Sequence, residues 1–341
     1  MRGKGMTYDT GFVRNGRSAR ERFEAEVVKR ELAVIRDDLH CTAVQLVGGD
    51  PDRLELAAQW AADLGLEVWF SPYPLDATED EMLALFADCA RRAEKVRAGG
   101  ANVVFVTGVE LSVMVHGFIP GANTDERLDW LFSDPDSRAE RIVEVSKRLD
   151  AFLDTAVRLV RQEFHGPVTY AAIQYEQLDW SRFDFVTVEL IRSAAVADIF
   201  QAGVRKLVSQ GKPVAITGFG TASWRGAGDV APRSLEVVES DPVTGDPLRL
   251  DGEYERDEAG QATYVRELLE IFDAEGVDSA FVFLFALYNY PHRPDGDPRL
   301  DLDLASFGMV KVLETGSGTA YPGLDWEPKE VFSAVAEFYA R

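Results

Sequence analysis

Two rhythms of apolar residues alternate along the chain. Short, nearly continuous apolar runs predict buried strands at Met6 to Tyr8, Thr42 to Val47, Leu66 to Ser71, Asn102 to Thr107, Pro167 to Ile173, Phe183 to Leu190, Lys212 to Gly220 and Ala280 to Phe285. Between most of them the spacing becomes helical. Phe23, Val27, Leu32 and Ile35 mark a helix from Arg20 to Leu39. Asp50 caps a second, with Pro51 at its first position and Gly65 at its end, and Thr78 caps a third that runs to about Ala98. Further helices are predicted at Ser137 to Phe164, Ala194 to Gln210, Glu258 to Glu275 and Pro328 to Ala340.

Apolar strands alternating with helices imply a parallel sheet covered by helices, and eight repeats imply closure into a single (β/α)8 TIM barrel. A doubly wound open sheet is the alternative, but no glycine-rich dinucleotide fingerprint follows the first strand. Long segments follow the fourth, seventh and eighth strands, at 108–136, 224–255 and beyond Phe285. They belong to the C-terminal face, where barrels build their sites.

Composition narrows this picture. A chain of 341 residues with 46% hydrophobic residues suits one barrel domain, 1–341, with loop insertions. The net charge of −22 argues against nucleic acid and anionic membranes as partners and leaves a small molecule as the expected ligand. The two cysteines, Cys41 and Cys89, read as buried free thiols of a reducing cytosol. The N-terminus has no apolar signal core and no stretch approaches a membrane span, so a cytoplasmic protein is expected. The pattern carries no oligomeric signature.

Chemistry is expected where acids and aromatics meet the C-terminal face. Glu110 lies just past the fourth strand, so its carboxylate would face the barrel mouth. Glu189 ends the sixth strand and is the preferred second carboxylate, unless it pairs with Arg192 or a loop arginine. Glu176 follows the fifth strand, while Asp301 and Asp303 read as loop-holding acids. Asp9 follows the first strand. His116 and His292 lie in mouth loops and are candidate ligand contacts, but His40, His116, His165 and His292 show no zinc-helix spacing. No metal and no cofactor is expected, and no nucleophile elbow is present. Tyr8, Trp69, Phe70, Tyr73, Phe118, Trp130, Tyr175, Trp180, Trp224, Tyr288 and Tyr290 crowd the mouth segments. Such rings hold sugars or other partly apolar ligands, or simply pack loops. Tyr8, Trp69, Trp224 and Tyr288 are the candidate binding residues among them.

The run Lys212-Pro213-Val214-Ala215-Ile216-Thr217-Gly218-Phe219-Gly220 resembles the seventh strand of the retaining clan A glycoside hydrolases, where K-P-V-x-x-T-E-F-G carries the nucleophilic Glu. Gly218 stands at that position. The resemblance implies a general acid at Glu110, although Val109 replaces the family's Asn before it. Over nearly the whole chain the sequence resembles a set of actinobacterial barrel proteins often labelled "abortive infection protein". Tyr8-Asp9-Thr10, Gly48-Gly49-Asp50-Pro51-Asp52-Arg53-Leu54, Val68-Trp69-Phe70-Ser71-Pro72, Gly117-Phe118-Ile119-Pro120-Gly121, Arg225-Gly226-Ala227 and 301–308 carry that resemblance.

The departures from that pattern cluster. Gln45 stands where the resembled proteins carry an Arg that pairs with the nucleophile, and Ile191 where they carry a Tyr. An Arg deprived of its carboxylate would be a buried unpaired charge, so joint loss is physically consistent. The resemblance therefore implies an enzyme that has lost the retaining nucleophile and uses Glu110 for acid/base chemistry. Its substrate would be a secondary metabolite or glycoside-like molecule. Inverting or substrate-assisted hydrolysis and non-catalytic ligand binding are the alternatives.

Overall fold

In a computed structural model, which describes residues 1–14, 16–241 and 244–341, eight parallel strands form a closed barrel: β1 (Gly3–Asp9), β2 (Ala43–Gly48), β3 (Glu67–Pro72), β4 (Val103–Val109), β5 (Val168–Ala172), β6 (Val186–Glu189), β7 (Val214–Gly218) and β8 (Ser279–Val282). They neighbour one another in chain order, with β1 beside β8. Helices between strands are α1 (Ala25–Asp37), α2 (Pro51–Asp63), α3 (Glu79–Ala98), α4 (Leu111–Met114), α5 (Thr124–Phe132), α6 (Arg138–Glu163), α7 (Ala197–Val208) and α8 (Glu258–Ala274), and α9 (Glu330–Tyr339) follows β8. The chain is thus a (β/α)8 barrel, as its pattern implies. None of the described helices is long and apolar enough to cross a membrane.

The caps read from sequence form. Asp50 accepts the amides of Asp52 and Arg53 at 2.9 and 3.3 Å, and Thr78 and Glu81 make a reciprocal capping box. The boundaries differ where backbone packing decides them. β1 starts at Gly3 instead of Met6, because Gly3 and Gly5 let it lie close against β8. A Cβ on Gly3 would come within 2.3 Å of Ser279 Oγ, and one on Gly5 within 2.3 Å of the Phe281 ring. The predicted helix at Arg20 starts instead at Ala25, because Arg20 is buried as an ion-pair partner.

Two compact units make up the chain, one of residues 1–9, 19–44 and 190–341 and the other of residues 10–18 and 45–189. In the first, Glu31 is wholly buried and accepts hydrogen bonds from Tyr8, Tyr288, Arg20 Nη2 at 2.8 Å and Trp326 Nε1 at 3.0 Å. The Arg20 guanidinium also lies 4.1 Å from the Tyr288 ring centroid. A second network joins Arg256 to Asp301 at 2.8 Å and to Asp303 at 2.7 Å, and the buried Lys329 ammonium lies 2.9 Å from Asp303. Asp301 and Asp303 do hold their loop, through cations from distant segments more than through local turns.

In the second unit the strand alternation builds layers. The Trp69 and Phe185 rings pack 5.1 Å apart. Two residues further along each strand, Ser71 and Thr187 join Gln45, Thr107 and Thr169 in a buried polar layer. Its bonds include Gln45 Nε2 to Ser71 Oγ at 3.4 Å and Thr169 Oγ1 to Thr187 Oγ1 at 2.7 Å. Two residues on again, β3 and β6 lead to Tyr73 and Glu189. The fold therefore sets polar side chains beneath the strand ends where chemistry is expected.

Removing one member of the buried Arg20–Glu31 pair leaves a charge with no compensation. Arg20→Ala is expected to destabilise the fold by about 3–5 kcal/mol in equilibrium urea unfolding. The Arg20→Ala/Glu31→Ala double variant should lose less than the sum of the single changes. A loss under about 1 kcal/mol for Arg20→Ala would put the pair among weak surface bridges.

Candidate functional site

The site begins with a break in β4. The register against β5 shifts between Val106 and Val109, and Gly108 adopts φ 95°. A Cβ there would come within 2.7 Å of the Leu111 side chain, so the turn requires glycine. Glu110 follows at φ 49° and ψ 36°, a left-handed conformation that costs a non-glycine residue on the order of 1 kcal/mol or more. Its amide still donates to Ala171 O at 2.9 Å, which ties the turn to β5.

Glu110 is the N-cap residue of α4, yet its side chain makes no capping bond. Those amides are served from β5 and the loop after it. Leu111 N donates to the Tyr170 hydroxyl at 2.8 Å, and Ser112 N to Glu176 Oε1 at 3.2 Å. Glu176 also accepts from Ser112 Oγ at 2.5 Å, from Tyr170 at 3.0 Å to each oxygen, and from Ile173 N at 3.1 Å. Burial drives the Glu176 carboxyl up from 4.5 to about 7, with these hydrogen bonds pulling the other way.

Among the described residues no hydrogen bond or ion pair reaches the Glu110 carboxyl. It is half-buried. Burial first, then the nearby charges of Glu189 and Glu176, holds it well above the usual carboxylate range. The half-buried Tyr73 shares these neighbours: burial, then Glu110 and Glu189, raises its phenol, and Arg14 opposes the shift. Tyr73 packs edge-on to Phe12 at 5.1 Å, while the Tyr175 hydroxyl lies 2.9 Å from Ser112 Oγ and its ring lies 5.7 Å from Phe132. Glu110, Glu189, Tyr73 and Tyr175 thus form one electrostatic group in a single compact unit. A carboxyl whose proton is held more tightly than usual, beside an acidic partner, is suited to proton transfer.

The other residues singled out by sequence have varied placements. Arg192, the suggested partner of Glu189, pairs with Glu267 at 2.6 Å. Tyr8 and Tyr288 donate to Glu31, and the buried Asp9 offers its backbone carbonyl to Arg20 Nη1 at 3.0 Å. Gln45 lies in the polar layer, and Trp69 fills the layer below it with its indole donated to Glu67 at 2.8 Å. Gly218 is buried at the end of β7, where its carbonyl accepts Leu190 N at 2.9 Å. Trp224 donates to Ser234 O at 2.9 Å. His116 Nδ1 lies 2.9 Å from Arg127 Nη2, and His292 Nδ1 lies 2.9 Å from Asp301 Oδ1. Sequence reading named Tyr73 only as one ring among many and missed Tyr170, whose role depends on a partner six residues along. Among the described residues no group of three or more His, Cys, Asp or Glu side chains is arranged to hold a metal ion.

No family model and no curated protein matches the chain. Solved structures do. A GH113 β-1,4-mannanase superposes with a TM-score of 0.63 at 15% identity, covering 100% of this chain and 99% of that one. A GH113 β-mannanase from Alicyclobacillus acidocaldarius gives 0.60 at 13% identity, over 99% of this chain and 97% of that one. A family 1 β-glucosidase from Thermotoga maritima gives 0.59 at 12% identity, over 98% and 96%. At these identities the likeness is one of fold: a glycoside-hydrolase-like barrel.

The raised Glu176 fixes a direction for stability against pH. Its neutral form is favoured in the folded state, so its contribution is complete below 4.5 and is lost as pH rises through about 7. Over that interval the loss from this group should be roughly 3 kcal/mol. Glu176→Gln should flatten the fall in a pH series of urea unfolding curves. An unchanged profile in the variant would show that Glu176 does not titrate in this way.

Proposed function

We propose that the chain is an acid/base enzyme on a glycoside-hydrolase-like barrel, with Glu110 as the proton donor and Glu189 as its partner carboxylate. Support comes above all from the Glu110 carboxyl, which no described group pairs or hydrogen-bonds and whose proton its surroundings hold more tightly than that of an ordinary carboxyl. Structural acids elsewhere in the chain are paired: Glu31 with Arg20, and Asp303 with Arg256 and Lys329. A protonated carboxyl at the end of β4 can protonate a leaving oxygen or a double bond. Glu189 then receives a proton from water or from a carbon of the substrate.

Gly218 at the end of β7 offers no carboxylate for a covalent intermediate, which disfavours double displacement. The reactions that remain ask only proton transfer of the protein: cyclisation, isomerisation, elimination, or acetal hydrolysis with water as the nucleophile and the alcohol as the leaving group. Rings of Tyr73, Phe12, Tyr175 and Phe132 accompany the acids. They suit a small, partly apolar or glycoside-like molecule, as expected of secondary metabolism. Hydrolysis with inversion is the second reading, favoured by the presence of Glu189 beside Glu110.

Glu110→Gln should abolish turnover of the native substrate while leaving the unfolding midpoint within a few degrees of the parent. Incubation with an activated 2-fluoro glycoside should give no mass increase on the intact protein. Full activity in the Gln variant would make Glu110 a structural residue, and a covalent glycosyl adduct would restore double displacement.

A further inference from the structure

We propose that Glu176 is the positioning residue of this site: from the loop after β5 it takes over the capping of the turn that follows Glu110, and so leaves the Glu110 side chain available at the strand ends. The inference rests on the reading of Glu110 as the working acid and adds the device that keeps it so.

An N-cap side chain ordinarily folds back onto the first amides of its helix. Glu110 occupies that position, and its left-handed backbone opens directly into α4. With those amides vacant, its own carboxylate could turn back toward them. Accepting a backbone N–H favours the ionised form, and a carboxylate so engaged is a poor acid. Here the amides are already taken. Tyr170 accepts from Leu111 N, and Glu176 Oε1 accepts from both Ser112 N and Ser112 Oγ. The two acceptors are bonded to each other, and Ile173 N fixes the second Glu176 oxygen at 3.1 Å. Glu176 and Tyr170 thereby hold the turn from outside it. The groups facing Glu110 are Glu189 from β6, Glu176 and Tyr175 from the loop after β5, and Tyr73 from the loop after β3, with Arg14 facing Tyr73. None of the first four supplies a positive charge that would hold Glu110 ionised.

The test is a carboxyl ¹³C titration of the full chain labelled in glutamate, with the Glu110 signal assigned by its loss in Glu110→Gln. In the parent Glu110 should titrate above the ordinary range. In Glu176→Ala its own carboxylate recaptures the Ser112 amide, and its midpoint should fall by about 1 unit or more. Glu176→Gln retains the acceptor without the charge and should keep Glu110 above the ordinary range. An unmoved Glu110 in Glu176→Ala overturns the inference. So does a fall in Glu176→Gln as large as in Glu176→Ala, since charge alone would then account for it. Should Glu176→Ala fail to fold, Tyr170→Phe strips Leu111 N of its acceptor and decides the matter by the same readout: a downward shift supports the inference, and no shift overturns it. A parent Glu110 that titrates like a free glutamate sinks the acid reading itself, an outcome distinct from a raised Glu110 that ignores Glu176.

Discussion

A buried carboxylate must be given donors, and the way Glu176 is given them shapes the ends of two strands. Its acceptors meet Ser112 from the turn after β4, Tyr170 from β5 and Ile173 from the loop that follows. Because those bonds close the first amides of α4, the chain can leave β4 through Gly108 and a left-handed Glu110 without an open helix end. Backbone strain at Glu110 is tolerated because its surroundings fix the turn from both sides.

The chain treats its other buried acids differently. Glu31, Asp301 and Asp303 are matched with Arg20, Arg256 and Lys329, which makes them anchors for distant segments. Pairing of that kind holds a carboxylate ionised, and Asp301 is accordingly held below its usual range despite burial. Among the described residues neither Glu110 nor Glu176 has such a cation: burial pushes both upward, and for Glu110 the charges of Glu189 and Glu176 add to it. The contrast separates acids paired with cations from acids whose protons are held more tightly.

Much of the architecture was legible because barrels leave a strong repeating trace. Apolar strands and capped helices alternate, and Asp50 and Thr78 announce their helices by local chemistry alone. The extent of β1 and the start of α1 were hidden, since Gly3, Gly5 and Arg20 answer to residues hundreds of positions away or to a buried partner. The strand-end positions of Glu110 and Glu189 were legible. The capping role of Glu176 was not, because nothing local marks an acid that caps a turn more than sixty residues earlier. Trp69 and Tyr8 looked like mouth aromatics by segment, but the parity of a strand residue decides whether it fills the barrel interior or meets its end.

The central claim is that Glu110 and Glu189 share one site and act on one another as like charges. A double-mutant cycle of Glu110→Gln and Glu189→Gln, followed by urea unfolding above neutral pH, measures this directly. Each single change should stabilise the fold by relieving the repulsion. The double variant should gain less than the sum of the two by on the order of 1 kcal/mol. Strict additivity would mean that the two carboxylates do not share a site, and the acid/base reading would lose its second group.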